Sequence, residues 1–67
     1  MERTYKQIEL VGISEENYEG AIQNAISKAS QSLHGISWYE VLEQRGKVSE
    51  GKVVEYQVVI KAAFKLD

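Results

Sequence analysis

One long alternating stretch near the C-terminus constrains this chain more than any other feature of its sequence. It runs from Val53 to Leu66, and every second residue from Val54 onward is apolar, whereas the intervening residues are mostly polar. Side chains of a β-strand alternate between two faces, so the pattern predicts a half-buried strand. At ~3.3 Å per residue its 14 residues would span about 46 Å, although a compact chain of this length would measure only about 30 Å across. The strand must therefore curl strongly, lie against neighbouring chains, or do both.

A strand and a helix are predicted before this long strand. Residues 4–13 alternate in part, and Gly12 predicts the end of this first strand, with a turn or a tight backbone approach at the glycine. Ser14 can cap the free amides of a helix, and an apolar stripe at helical spacing follows from Tyr18 to Leu33. We expect a helix of about 20 residues, close to 30 Å long. Its stripe is rich in alanine, which would let a sheet approach closely.

The order of the elements predicts the topology. Residues 36–48 give the second strand candidate, and Ser49-Glu50-Gly51 predicts a turn into the long third strand. A strand–helix–strand crossover makes the first two strands parallel in direction, so the third fits between them and runs antiparallel to both. The sequence therefore predicts an α+β fold of β-α-β-β order, with a three-stranded antiparallel sheet in order 1-3-2 wrapped around one helix. We expect a single domain over residues 1–67.

Composition limits how so short a chain can be stabilised. A core of this size rarely supplies more than ~3–5 kcal/mol, so disulfides, a metal or oligomerisation usually contribute. The chain has no cysteine, which excludes disulfides and thiolate metal sites, and its single histidine excludes a histidine-rich metal site. We therefore predict no metal site, and expect self-association to supply the missing stability.

Charge and hydropathy limit the partners. The formal net charge of −2 argues against a general nucleic-acid binder. No apolar run approaches the ~20 residues of a membrane-spanning helix, and no signal peptide opens the sequence. We expect a soluble, cytoplasmic protein without a nucleic-acid or membrane partner.

The sheet face that the helix leaves uncovered is the candidate functional surface. Val59 and Ala63 of the third strand point there, and so does Trp38 of the second strand if its neighbour Tyr39 faces the helix. A monomer would not leave these side chains bare, and a tryptophan exposed on a strand indicates a contact site.

Gln57 lies on the same face of the third strand. An indole beside an amide suits a flat heteroaromatic ligand, because the indole can stack while the amide donates to and accepts from ring-edge atoms. The alternative is that Trp38 fills a subunit interface and Gln57 is a solvated strand residue. Spacing alone favours this alternative.

The chain resembles the dodecins, a family of small flavin-binding proteins. The resemblance covers nearly the whole sequence. No single stretch is specific to the family, but the combination of these stretches in this order is. It is carried by Glu9-Leu10-Val11-Gly12-Ile13-Ser14-Glu15, Ala21-Ile22-Gln23 with Ala29, Trp38-Tyr39-Glu40-Val41, Arg45-Gly46 and Glu55-Tyr56-Gln57-Val58-Val59.

This resemblance implies a β-α-β-β subunit that assembles into a hollow homododecamer. It implies that flavins such as FMN or riboflavin bind in pairs between subunits, with Trp38 stacked on the isoalloxazine ring and Gln57 bonded to its pyrimidine edge. It also implies a coenzyme A site that uses basic residues, among which Arg45 matches the family. Lys65 stands where an arginine is common, so the bidentate phosphate contact of an arginine is lost there.

The function implied is a flavin store or buffer rather than an enzyme. Flavins held between electron-rich indoles would be desolvated, immobilised and rapidly quenched, and this requires no general base or nucleophile. The sequence offers no catalytic constellation. The second hypothesis is a structural or protein-interaction module that oligomerises through Trp38 without a ligand.

Overall fold

The computed structural model describes residues 2–67 and contains four elements. They follow the order β1 (Tyr5–Ser14), α1 (Tyr18–Ala29), β2 (Ile36–Ser49) and β3 (Lys52–Lys65). The strands form one sheet in the order β1-β3-β2, and both pairings are antiparallel. The predicted β-α-β-β fold with strand order 1-3-2 is therefore confirmed.

The core lies between α1 and the face of β3 that carries Val58 and Ile60. These two side chains are fully buried and pack against Ala21 and Ala25 of the helix. The alternation of β3 explains this burial, because Val58 and Ile60 project from the same side of the strand. The opposite side of the sheet, away from α1, is called the outer face below.

The helix is shorter than its apolar stripe predicts, with 12 residues instead of about 20. Its N-cap is Asn17, whose Oδ1 accepts from the backbone N–H of Gly20 at 2.6 Å. Ser14 is instead the last residue of β1, and its Oγ accepts from the N–H of Glu16 at 3.0 Å. The expectation that Ser14 caps the helix was wrong, because a second capping residue follows three positions later.

Gly12 does not end β1, which continues to Ser14. The tight approach expected at this glycine is present: a Cβ there would overlap the carbonyl oxygen of Ala21 and lie 2.9 Å from Cβ of Ala25. Only glycine lets the backbone of β1 come this close to α1.

The hairpin between β2 and β3 turns where the sequence predicts. Glu50 and Gly51 have φ values of 51° and 77°, as a type I′ turn requires at its two central positions. The pairing of β2 is irregular, with register shifts between Ile36 and Trp38, between Val41 and Glu43, and between Lys47 and Val48. Each shift changes which side chains share a face.

The subunit is long and thin. Its extents are 52 × 21 × 13 Å and its radius of gyration is 13.8 Å, whereas a compact chain of this length would have a radius near 11 Å. The expectation of a body about 30 Å across was therefore wrong. The helix packs on β1 and β3, and all of β2 beyond Ile36 is exposed.

The outer face of β3 is better covered than expected. Val59 and Ala63 are 8% and 0% exposed within a single subunit. The exposed large apolar residues lie on the flanking strands and at the strand ends: Val11, Ile13, Trp38, Tyr39, Val41, Leu42, Val48, Val53, Val54 and Leu66.

Over residues 2–67, no helix has the length and apolar character that a bilayer crossing demands.

Candidate functional site

Trp38 lies on the outer face at the start of β2. It is paired with Ala63 of β3, and directly paired residues of an antiparallel sheet share a face. Ala63 alternates with the β3 residues that pack on α1, so both side chains project away from the helix. Trp38 is 47% exposed, and the centroid of its indole ring lies 4.6 Å from that of Tyr5.

Gln57 also lies on the outer face, within a chain of side-chain hydrogen bonds. Its Oε1 accepts from Nε of Arg45 at 2.7 Å, and its Nε2 donates to Oε1 of Glu55 at 2.7 Å. Arg45 in turn donates from Nη1 to Oε1 of Glu43 at 2.6 Å. A guanidinium can only donate and an ionised carboxylate can only accept, so the two neighbours fix which way the amide points. One amide N–H and one lone pair of Gln57 remain for a ligand.

A register shift brings Arg45 to this face. Strict alternation from Trp38 would turn Gln44 outward, but the pairing moves from Val41↔Ile60 to Glu43↔Val59, leaving Leu42 outside the ladder. Beyond the shift Arg45 pairs directly with Gln57. Neither glycine nor proline marks the shift in the sequence, so alternation alone could not have found the contact.

Trp38 and Gln57 share a face but are not neighbours within one subunit. Trp38 pairs with Ala63, which lies six residues beyond Gln57 along β3. At ~3.3 Å per residue the two positions are roughly 20 Å apart. An indole and an amide at this separation cannot both contact one ring system within a single chain. The sequence led us to expect Trp38 next to Gln57, and within a subunit they are not adjacent.

Lys65 lies at the same end of the sheet as Trp38. It pairs with Tyr5, and its backbone N–H donates to the carbonyl oxygen of Gly35 at 3.2 Å. Arg45 pairs with Gln57, eight residues back along β3, which corresponds to roughly 26 Å. Within one subunit, Lys65 therefore lies at one end of the outer face, whereas Arg45 lies near its middle.

A comparison with protein-family models identifies the family. The model described as Dodecin matches residues 4–67. The chain belongs to the dodecin family.

Individual dodecins match over almost their full lengths. A dodecin from Thermus thermophilus is 48% identical over 67 residues, which is 100% of this chain and 97% of that protein. The solved dodecin from Streptomyces davaonensis is 42% identical with a TM-score of 0.94, covering 100% of this chain and 98% of its own. The calcium dodecin of Mycobacterium tuberculosis is 29% identical over 62 residues, 92% of this chain and 87% of that protein.

The dodecin fold here surrounds the predicted site residues with partners that sequence reasoning missed. Tyr5 contacts Trp38, and Glu43 and Glu55 extend the hydrogen-bonded chain through Arg45 and Gln57. Glu55 could have been anticipated, since it lies two residues from Gln57 on the same strand face. Tyr5 could not, because its contact crosses the width of the sheet. Within residues 2–67 no group of three or more histidine, aspartate and glutamate side chains could hold a metal ion.

Proposed function

We propose that this dodecin binds flavin, of FMN or riboflavin type, in pairs between the subunits of a homododecamer, and that it stores and quenches the flavin without catalysing a reaction. The observation that carries the proposal is the separation of two complementary groups on one face. Trp38 offers a half-exposed stacking surface, and Gln57 offers an oriented amide roughly 20 Å away. Each is half of a site for a flat heteroaromatic ring, and a neighbouring subunit can supply the other half.

The shape of the subunit supports self-association. Among its fully buried side chains the largest are Val58 and Ile60, which is a small core for a chain that exposes ten large apolar residues. A subunit that exposes this many large apolar side chains is expected to bury part of them against other chains. A 52 Å subunit with its β2 strand uncovered would gain its missing burial from neighbouring copies.

The chemistry of the indole supports quenching. Trp38 is the only tryptophan of the chain, and an indole is the most electron-rich of the natural side chains that stack well on a flavin. An excited flavin in contact with it can take an electron and return to the ground state without emitting light. Such a buffer requires desolvation and stacking but no proton transfer. We propose that it acts in the cytoplasm.

Two other ligands receive less support. The Mycobacterium tuberculosis relative is named for calcium, but the described part of this chain lacks a cluster of three acidic or histidine side chains for a cation. Coenzyme A would draw on Arg45 and Lys65, but Arg45 already donates hydrogen bonds to Glu43 and Gln57, and a lysine at position 65 cannot make the bidentate phosphate contact of an arginine.

Titration of riboflavin with the purified protein tests the proposal. We expect strong quenching of riboflavin fluorescence that saturates at one flavin per chain, in a particle whose native mass corresponds to 12 chains of 7.6 kDa. Trp38→Ala should abolish the quenching and leave the particle mass unchanged. A stable monomer would contradict the proposal. A 12-chain particle that leaves riboflavin fluorescence unchanged would favour the ligand-free oligomerisation module instead.

A further inference from the structure

Tyr5 and Trp38 make a contact that the strand order would not ordinarily allow. Tyr5 begins β1 and Trp38 lies near the start of β2, and β3 runs between these two strands. Strands two places apart in a sheet are separated by about 9.6 Å. The two ring centroids are nevertheless 4.6 Å apart, with an interplanar angle of 51°. Both rings must therefore lean inward over the central strand.

The residue beneath the rings explains how they meet. Tyr5 pairs with Lys65 and Trp38 pairs with Ala63, so the rings converge over the β3 segment that contains Ala63. Ala63 projects to the outer face, yet it is 0% exposed. A small side chain at this position leaves room for the rings, and the rings in turn cover it. The guanidinium of Arg3 lies 5.7 Å from the centroid of Tyr5, which adds a third member to the layer.

We propose that Tyr5 is a positioning residue for the flavin site, and that it holds the Trp38 indole in place over Ala63 before a ligand arrives. This inference rests on the proposed function. Trp38 belongs to the edge strand β2, on the face opposite α1, and Tyr5 is the aromatic ring that its indole contacts. Trp38 is 47% exposed, so part of the residue stays accessible to a stacking ligand.

The expected gain is one of preorganisation. A side chain that is already ordered does not lose rotamer freedom when a ligand stacks on it, and one such side chain corresponds to roughly twofold to tenfold in affinity. Tyr5 acts on the ligand through Trp38. The effect should therefore depend on the aromatic ring of Tyr5 and not on its hydroxyl group.

Two substitutions of Tyr5 test this positioning role through the fluorescence of the Trp38 indole. Because Trp38 is the only tryptophan, the time-resolved fluorescence anisotropy of the flavin-free protein reports on this one side chain. We expect Tyr5→Leu to add a fast picosecond-to-nanosecond depolarisation and to weaken riboflavin binding up to about tenfold. Tyr5→Phe should restore both properties to wild-type values, because it keeps the ring. Ala63→Val adds two methyl groups beneath the rings while leaving Tyr5 in place, and should reproduce the Tyr5→Leu result.

Tyr39→Leu serves as the matched control, with size-exclusion chromatography of every variant. Tyr39 is as exposed as Trp38 and adjacent to it, but it pairs with Ala62 on the helix side, so its loss should leave the Trp38 anisotropy unchanged. The inference is overturned if Tyr5→Leu leaves the anisotropy unchanged, or if Tyr5→Phe weakens binding as much as Tyr5→Leu. Wild-type protein that does not bind riboflavin would overturn the proposed function. Fast depolarisation in Tyr5→Leu would even then support the conclusion that Tyr5 restricts the motion of the Trp38 indole.

Discussion

Nε of Arg45 donates a hydrogen bond to Oε1 of Gln57 at 2.7 Å, and the contact exists because β2 shifts its register at Leu42. With Glu55 accepting from the other end of the amide, Gln57 is held between a cation and an anion. Its orientation is thereby fixed before any ligand binds. In this arrangement Arg45 orients the amide that would hydrogen-bond to the edge of a flavin. The family resemblance instead implies that Arg45 belongs to a coenzyme A site.

We expect Arg45→Met to weaken riboflavin binding about tenfold, which corresponds to ~1.4 kcal/mol. The methionine keeps an unbranched apolar stem but removes the donor that orients Gln57. In a Gln57→Ala background the same substitution should have no further effect, because the two residues act as a unit. A double-mutant cycle from riboflavin titrations measures this coupling.

Lys47→Met is the control for this cycle. Lys47 lies two residues from Arg45 on the same face of β2 and carries the same charge, but it is not a hydrogen-bond partner of Gln57. Its substitution should change riboflavin affinity less than Arg45→Met does. Equal weakening by Arg45→Met with and without Gln57 would mean that Arg45 contacts the ligand directly, contrary to this account.

The helix cap gives a second prediction. Asn17→Ala should destabilise the protein by about 1 kcal/mol, because the backbone N–H of Gly20 loses its 2.6 Å partner. Ser14→Ala should have a smaller effect, since the exposed hydroxyl supports a local turn before the helix. Urea unfolding followed by circular dichroism, at equal protein concentrations, measures both effects. A larger loss of stability in Ser14→Ala than in Asn17→Ala would indicate that Ser14, and not Asn17, is the N-cap of the helix.

The contact between β1 and α1 gives a third prediction. Gly12→Ala should destabilise the fold by roughly 1–3 kcal/mol or more, because the added Cβ meets the backbone carbonyl of Ala21, which cannot rotate away. Gly51→Asn is the control. It also adds a side chain to a glycine, but nothing lies within 4 Å there, and asparagine tolerates the positive φ of 77°. Equal urea midpoints for the two variants would contradict the close approach.

The sequence contained enough to predict the topology. Alternation along β3, the apolar stripe of α1 and the turn at Glu50 and Gly51 were sufficient for the element order and the strand order. Element ends were less predictable, because Ser14 and Asn17 are both good capping residues and only packing decides between them. The register shift at Leu42 was not predictable, because it depends on how β2 fits β3 and not on a local signal.

The candidate site, like the fold, could be predicted from the sequence only in part. Period-two alternation predicted that Trp38 and Gln57 would lie on one face, and they do. It could not give the distance between them, because separation along a sheet depends on the register of two strands. The contact of Tyr5 with Trp38 was equally hidden, since it joins two strands that do not pair with each other.

In the proposed assembly, one flavin site takes its indole and its amide from different subunits. The most direct measurement is a crystal structure of the protein grown with riboflavin. We predict an isoalloxazine ring stacked on Trp38 of one subunit, with its pyrimidine edge hydrogen-bonded to Gln57 of a neighbouring subunit. A riboflavin that contacts neither residue, or that bridges Trp38 and Gln57 within a single chain, would contradict the account.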